Sequence, residues 1–378
     1  MVHGAFGAGF PGCGMMARGG SSGRNCAILR DVLSRIKNWA RLGEDPGGAK
    51  KENMAEIQKN NTREKIAVVT GASSGIGLQI ALGLARRGFR VVMLCRDAAR
   101  GKSAQKWLQQ EAPGSRTELL LADLASLRNV RAAAASLRAY HGHIDVLVNN
   151  AGLFTPRRML TVDGHERMFA VNYLAPFLLT LELLPLLRRA VRGRIVNIGS
   201  AAADHARLDC GDFQARHGKM MRAYGESKLA LLLFTVELAR RLQGSNIVVN
   251  CVHPGVVATR IGAVGGLIGL LWRVVGPFLR SPRRGAQGAL KLALAPDLAP
   301  DWADWSGQYV KSGGVARANP LVEDRELGLR LWARSLQLTG AVDNISVRPG
   351  VVGANVTSAA SDTGADGWAV TPRRRAAR

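Results

Sequence analysis

Tyr224 and Lys228 stand four residues apart in Tyr-Gly-Glu-Ser-Lys, inside a stretch patterned as a long helix from Met220 to Leu242. That spacing puts both side chains on one helix face. A phenol with an ordinary pKa of about 10 transfers protons poorly near neutrality. A neighbouring ammonium favours the phenolate and lowers that value. The pair is therefore a candidate general acid/base tuned toward working pH. The spacing alone is common, and a surface aromatic beside a solvated lysine would produce it equally well. The case depends on what else the chain supplies.

Lys65 to Thr70 reads as a short, continuous apolar strand, and Gly71-Ala-Ser73-Ser74-Gly75-Ile76-Gly77 follows at once. A helical pattern then begins, with Leu78, Ile80, Ala81 and Leu84. Strand, glycine-rich turn and helix form the context in which such glycines approach a pyrophosphate at a helix N-terminus. Further strands end in polar or glycine clusters: Ile144–Asn149 before Asn150-Ala151-Gly152, Arg194–Gly199 before Ser200, and Ile247–Val252 before His253-Pro254-Gly255. In open α/β sheets the C-terminal edge of the strands is where ligands bind. With Arg90–Cys95, Thr117–Ala122 and Gly307–Val310, the pattern predicts seven strands alternating with helices. The expected fold is α/β: a doubly wound parallel sheet of the Rossmann type in one domain over 62–340, with extensions at 1–61 and 341–378.

These elements together resemble the short-chain dehydrogenases/reductases. The matching residues are Thr70-Gly71-x-x-x-Gly75-x-Gly77, Asp123-Leu124, Asn149-Asn150-Ala151-Gly152, Asn172, Ser200, Tyr224-x-x-x-Lys228 and Pro254-Gly255. Cys95-Arg96-Asp97, the run Arg167 to Leu174, the long gap between Ser200 and Tyr224, and His253-Pro254-Gly255-Val256-Val257-Ala258-Thr259 are similar to the retinol-dehydrogenase-like branch. The resemblance implies hydride transfer between a nicotinamide and a lipophilic carbonyl or alcohol. Tyr224 would exchange the proton, and Ser200 would hold the substrate oxygen. Lys228 would lower the tyrosine pKa and hold the nicotinamide ribose. Asn172 would anchor a water leading to Lys228. It also implies cofactor contacts from Gly71, Ser73, Ser74, Gly75, Ile76, Gly77, Asp123, Leu124, Asn150, Ala151, Gly152, Pro254, Gly255 and Thr259. Gly199 departs from a second serine common in the family. Arg96, just after the second strand, can grip a 2′-phosphate and favours NADP; Asp97 one place later keeps NAD open. No metal is expected.

The chain has 378 residues and a formal net charge of +24. Such a balance favours polyanions. Its arginines, however, are scattered along predicted helices, and no nucleic-acid motif accompanies them, so no specific nucleic acid is expected. Five cysteines without metal-like spacing fit a reducing compartment. The reading is a cytoplasmic protein, with peripheral membrane contact and a helix-mediated homodimer as open alternatives. Cys26 to Leu42 has the spacing of an amphipathic helix. Gly262 to Leu279 is greasy and glycine-rich, interrupted by Arg273, and corresponds to the family's mobile substrate lid. A competing reading of the whole is a cofactor-sensing binding protein that uses its basic surface on a membrane or polyanion.

Overall fold

The computed structural model describes residues 63–208, 220–255, 281–295, 306–311 and 314–345. Thr259, the expected Cys26–Leu42 helix, the Gly262–Leu279 stretch, the N-terminal extension and the C-terminal extension beyond 345 lie outside the described residues.

The first strand, β1 (Ile66–Thr70), is buried along its whole length, as a central parallel strand must be. It feeds α1 (Gly75–Ala85). Then come β2 (Arg90–Cys95), α2 (Ala98–Glu111), β3 (Thr117–Leu121), α3 (Leu127–Tyr140) and β4 (Val146–Asn149). A continuous helix α4 spans Arg167–Arg188. It is followed by β5 (Gly193–Ile198), α5 (Met220–Arg241), β6 (Ile247–Val252), α6 (Pro282–Leu294), β7 (Tyr309–Lys311), β8 (Gly314–Val315) and α7 (Arg325–Thr339).

The strands lie in the order β3-β2-β1-β4-β5-β6-β7-β8. The order reverses between β1 and β4, which opens a crevice at their C-terminal ends. All seven expected strands are present and pair in parallel. The sheet has an eighth, β8, which pairs antiparallel with β7 through Val310↔Val315 and Lys311↔Gly314. That strand is only two residues long and carries no apolar run. The seventh begins at Tyr309 and not at Gly307, because Gly307 sits at φ +81° in the turn before it.

Alternation along the central strands divides the core. Ile66 and Val68 point into the layer that holds α3, α4, α5 and α7; Ala67 and Val69 point into the layer of α1, α2 and α6. Helix α4 is long and apolar enough to cross a membrane, but 89% of that window is buried within the protein. It is a core helix. Its stretch Ala170–Leu174 winds as a π-helical turn, a local widening that often accompanies functional sites. An aromatic cluster ties the layer together: Trp332 of α7 meets Phe177 of α4 at 5.1 Å and stacks on Phe234 of α5 at 5.9 Å.

Candidate functional site

The crevice at the β1/β4 switch is built around glycines. Gly71 and Gly75 hold positive φ angles of 66° and 58°. Gly77 is required for close approach: a Cβ there would lie 2.3 Å from Asn150 Nδ2 and 2.5 Å from the Gly71 carbonyl. Ser74 takes the N-cap position of α1, yet its side chain accepts no capping hydrogen bond. The first N–H groups of α1 thus keep their donor capacity for an anion, and no acidic side chain stands in that turn to repel one.

Thr70 and Asn150 brace this loop. Thr70 Oγ1 accepts from the amides of Asn150 and Ala151, both at 2.9 Å, and Asn150 Nδ2 donates to the Thr70 carbonyl at 2.8 Å. The Asn150 side chain therefore supports the glycine turn from behind. Ile76 and Leu124 bury their side chains in the core and can meet a ligand only through backbone. The Ser73 hydroxyl lies against Cys95, whose thiol burial pushes up to about 11. Asp123 Oδ1 accepts from the Ala125 amide at 3.1 Å, which shapes the turn after β3. Gly255 has a φ of 85° just past β6 and Pro254 is half-buried.

Beyond β2, Arg96 is exposed and makes no ion pair among the described residues. Asp97 is differently occupied. It caps α2 by accepting the Arg100 amide at 2.8 Å and pairs with that guanidinium at 3.4 Å. The first of these, with the charge, holds its carboxyl below the usual range.

The chemistry-bearing side chains converge at the ends of β4 and β5. Lys228 is 4% exposed and donates to the Ile198 carbonyl at 2.9 Å. Burial lowers its pKa to about 8. Asn172, in the π-helical turn, is fully buried. Its Oδ1 accepts the Leu153 amide at 2.8 Å, and its Nδ2 donates to the Leu153 carbonyl and to Ser227 Oγ, both at 3.0 Å. Ser227 Oγ in turn donates to the Tyr224 carbonyl at 2.7 Å. The point where a Cβ on Gly152 would sit is 3.3 Å from both Asn172 Oδ1 and Lys228 Nζ. Glycine is what keeps that space open between them.

Ser200 and Tyr224 share a side-chain hydrogen bond, which draws the phenol pKa down while burial, the larger effect, raises it. Lys228, expected to depress the phenol, is not among the groups that shift it here. Its ammonium is turned to Ile198 and stands 6.0 Å from the Tyr224 ring centre. Ser200 is held by neighbours that sequence reasoning missed. Tyr309 OH donates to its carbonyl at 3.3 Å, across 109 residues of chain. Lys311 pairs with Asp204 at 2.8 Å, and Asn319 Nδ2 donates to the Ala203 and Ala206 carbonyls at 2.8 and 2.9 Å. Gly225, inside the Tyr-Gly-Glu-Ser-Lys run, lets this turn come close: a Cβ there would lie 2.9 Å from the Ala202 carbonyl.

Gly199 has a physical cause as well. A Cβ at 199 would lie 2.6 Å from Cys251 Sγ, so the thiol fills the space a second serine would need. Beside Tyr224, Leu153, Phe154, Met168, Met220 and Ala223 form a small apolar cluster, with Phe154 edge-on to the phenol ring at 5.9 Å.

A buried lysine, a phenol bonded to a serine and a glycine-lined crevice thus share one sheet edge. The sequence pattern of the family described as short chain dehydrogenase matches residues 65–264. The chain belongs to that family. Among its curated relatives, human (Homo sapiens) retinol dehydrogenase 13 is 40% identical over 284 residues, covering 73% of this chain and 85% of the relative. Retinol dehydrogenase 12 of Mus musculus is 39% identical over 277 residues, covering 73% and 86%. Among solved structures, the Pseudomonas aeruginosa RhlG/NADP active-site complex is 31% identical with a TM-score of 0.52, covering 66% of this chain and 95% of that one. As a member of the short-chain dehydrogenase family, the protein is an NAD(P)-dependent oxidoreductase acting on CH–OH groups.

Proposed function

We propose that this short-chain dehydrogenase interconverts a lipophilic carbonyl and its alcohol with NADP(H), using Tyr224 as general acid/base, within a catalytic domain over 62–340. The observation that carries the reading is the convergence of Tyr224, Ser200, Lys228 and Asn172 on one end of the sheet, joined through Ser227 and Ile198. The nicotinamide, when bound, supplies the hydride. Burial keeps the Tyr224 phenol protonated across the neutral range, the state a proton donor needs in reduction. Ser200, hydrogen-bonded to that phenol, donates to the substrate oxygen and stabilises its developing charge. Lys228, buried with a pKa of about 8, is poised to hold ribose hydroxyls and to exchange a proton near working pH. The gap over Gly152, flanked by Asn172 Oδ1 and Lys228 Nζ, is where the water that Asn172 would anchor beside Lys228 would sit.

The preference for NADP rests on the division of labour after β2. Asp97 is committed to capping α2, which takes away the acidic group that would favour NAD, while Arg96 is exposed and available for a 2′-phosphate. The apolar cluster around Phe154 and the names of the retinol dehydrogenase relatives favour a retinoid-, steroid- or aldehyde-like substrate. The buried free thiols Cys95 and Cys251 suit a reducing, cytoplasmic setting.

The test is a panel of short and long aldehydes, ketones and alcohols, assayed with NADPH and NADH side by side. The reading expects turnover that rises with chain length and prefers NADPH. Turnover with NADH alone, or with polar sugars alone, contradicts it.

A further inference from the structure

Between Phe154 and α4 the chain folds into a short hairpin. Thr161 N donates to the His165 carbonyl at 2.8 Å and Arg167 N to the Met159 carbonyl at 2.9 Å. Its acidic side chains serve the protein. Asp163 accepts the Leu127 amide at the N-terminus of α3 at 2.8 Å. Glu166 is fully buried and caps α4 through the amides of Met168 and Phe169. Most of what remains on the outside is basic or apolar. Arg157 and Arg158 are exposed, and Met159, Leu160 and Val162 are 43%, 53% and 88% exposed. Across the apolar cluster beside Tyr224, α5 begins with Met220 packed inward against that cluster and Met221 outward, 64% exposed. Two outcrops of the same character therefore flank the residues around the phenol.

An outward surface of arginines mixed with medium-sized aliphatic side chains matches an anionic bilayer surface. The guanidinium groups meet lipid phosphates, and the apolar side chains enter the boundary between headgroups and acyl chains. A soluble acidic partner would be met by the charges alone and would leave Val162 and Leu160 unexplained.

We propose that the Arg157–Val162 hairpin, together with Met221, docks on an anionic lipid surface and turns the mouth beside Tyr224 toward the membrane, where a lipophilic substrate is dissolved. This rests on the lipophilic-substrate reading above. The test is co-sedimentation of the full chain with phosphatidylcholine vesicles containing about 30% phosphatidylserine at roughly 0.15 M salt, where long-range charge attraction is screened. The variants are Leu160→Ser/Val162→Ser and Arg157→Gln/Arg158→Gln. The control is Arg283→Gln/Arg284→Gln at the start of α6, in the other helical layer. Both hairpin variants are expected to bind vesicles about tenfold or more weakly, and the control within about twofold of wild type. All should reduce a short, water-soluble aldehyde at the wild-type rate. Equal loss in the control means that net charge alone binds the membrane, and overturns the proposal. So does a wild type that ignores vesicles, or one that instead self-associates through Leu160 and Val162. Vesicle binding as expected, with no preference for long over short aldehydes, would overturn the substrate reading and leave the docking surface standing.

Discussion

The two ends of the sheet treat charge in opposite ways. At the end where the parallel strands begin, charged groups neutralise one another: Glu64 pairs with Arg90 at 2.8 Å and Arg116 at 2.6 Å, and Glu118 with Arg90 at 2.7 Å, while the His141 and His143 rings lie 3.2 and 3.3 Å from Glu118 and Asp145. At the end where strands β4 and β5 stop, Lys228 is buried with no acidic partner among the described residues and leans on one backbone carbonyl. The first arrangement settles the fold. The second leaves a charge under-compensated, which costs stability and keeps a proton exchangeable near neutrality.

The sharpest way to break this contrast is Lys228→Met. Turnover should fall about a hundredfold or more, while the cofactor-free protein becomes more stable. Burial lowers the Lys228 pKa from 10.5 to about 8, so the unfolded chain holds that proton more tightly than the folded protein. The penalty is full below about pH 8 and fades as pH rises toward 10.5. Removing it should yield about 3 kcal/mol, less about 1 kcal/mol for the lost bond to Ile198. Denaturant titrations at pH 7 and pH 10 check this; a variant less stable than wild type at pH 7 would break the contrast.

Next in size, Arg96→Glu should shift the ratio of kcat/KM for NADPH over NADH toward NADH by roughly ten- to a hundredfold, the worth of one charge-assisted hydrogen bond to phosphate. The same ratio before and after would remove Arg96 from cofactor choice.

Gly199→Ser should cost about 1–3 kcal/mol by overpacking against Cys251 Sγ and displace Ser200, lowering turnover as well. Adding Cys251→Ala should restore most of both losses. A double variant as impaired as the single would show that the Gly199–Cys251 fit is incidental.

Smallest of all, Glu118→Gln at the opposite end should lower stability by about 1 kcal/mol or less, since that carboxylate is 37% exposed, and leave turnover unchanged.

Most of the frame could be read from the chain because apolar runs and glycine punctuation carry it. β2 and β6 begin and end as their apolar runs do, and the helix carrying Tyr224 and Lys228 lies where its pattern puts it. What could not be read depends on direction or on distant contacts. Spacing puts Lys228 on the face of Tyr224, but only the fold turns its ammonium toward Ile198, where it does not depress the phenol. Asp97 reads as a candidate for the adenosine ribose, but an Asp just before a helix is equally an N-cap, and the fold shows it capping α2. The π-helical turn at Asn172 leaves no mark in the residue pattern. Nor does the pairing of Gly199 with Cys251, or the bond from Tyr309 to Ser200, because strands β5, β6 and β7 meet only in the folded sheet.

The most direct measurement is single-turnover hydride transfer from NADPH to a long-chain aldehyde by Tyr224→Phe, with cofactor binding followed in the same samples. The proton-donor role predicts near-normal NADPH binding and transfer slowed about 10²- to 10⁴-fold. Transfer at the wild-type rate with the cofactor bound would contradict it.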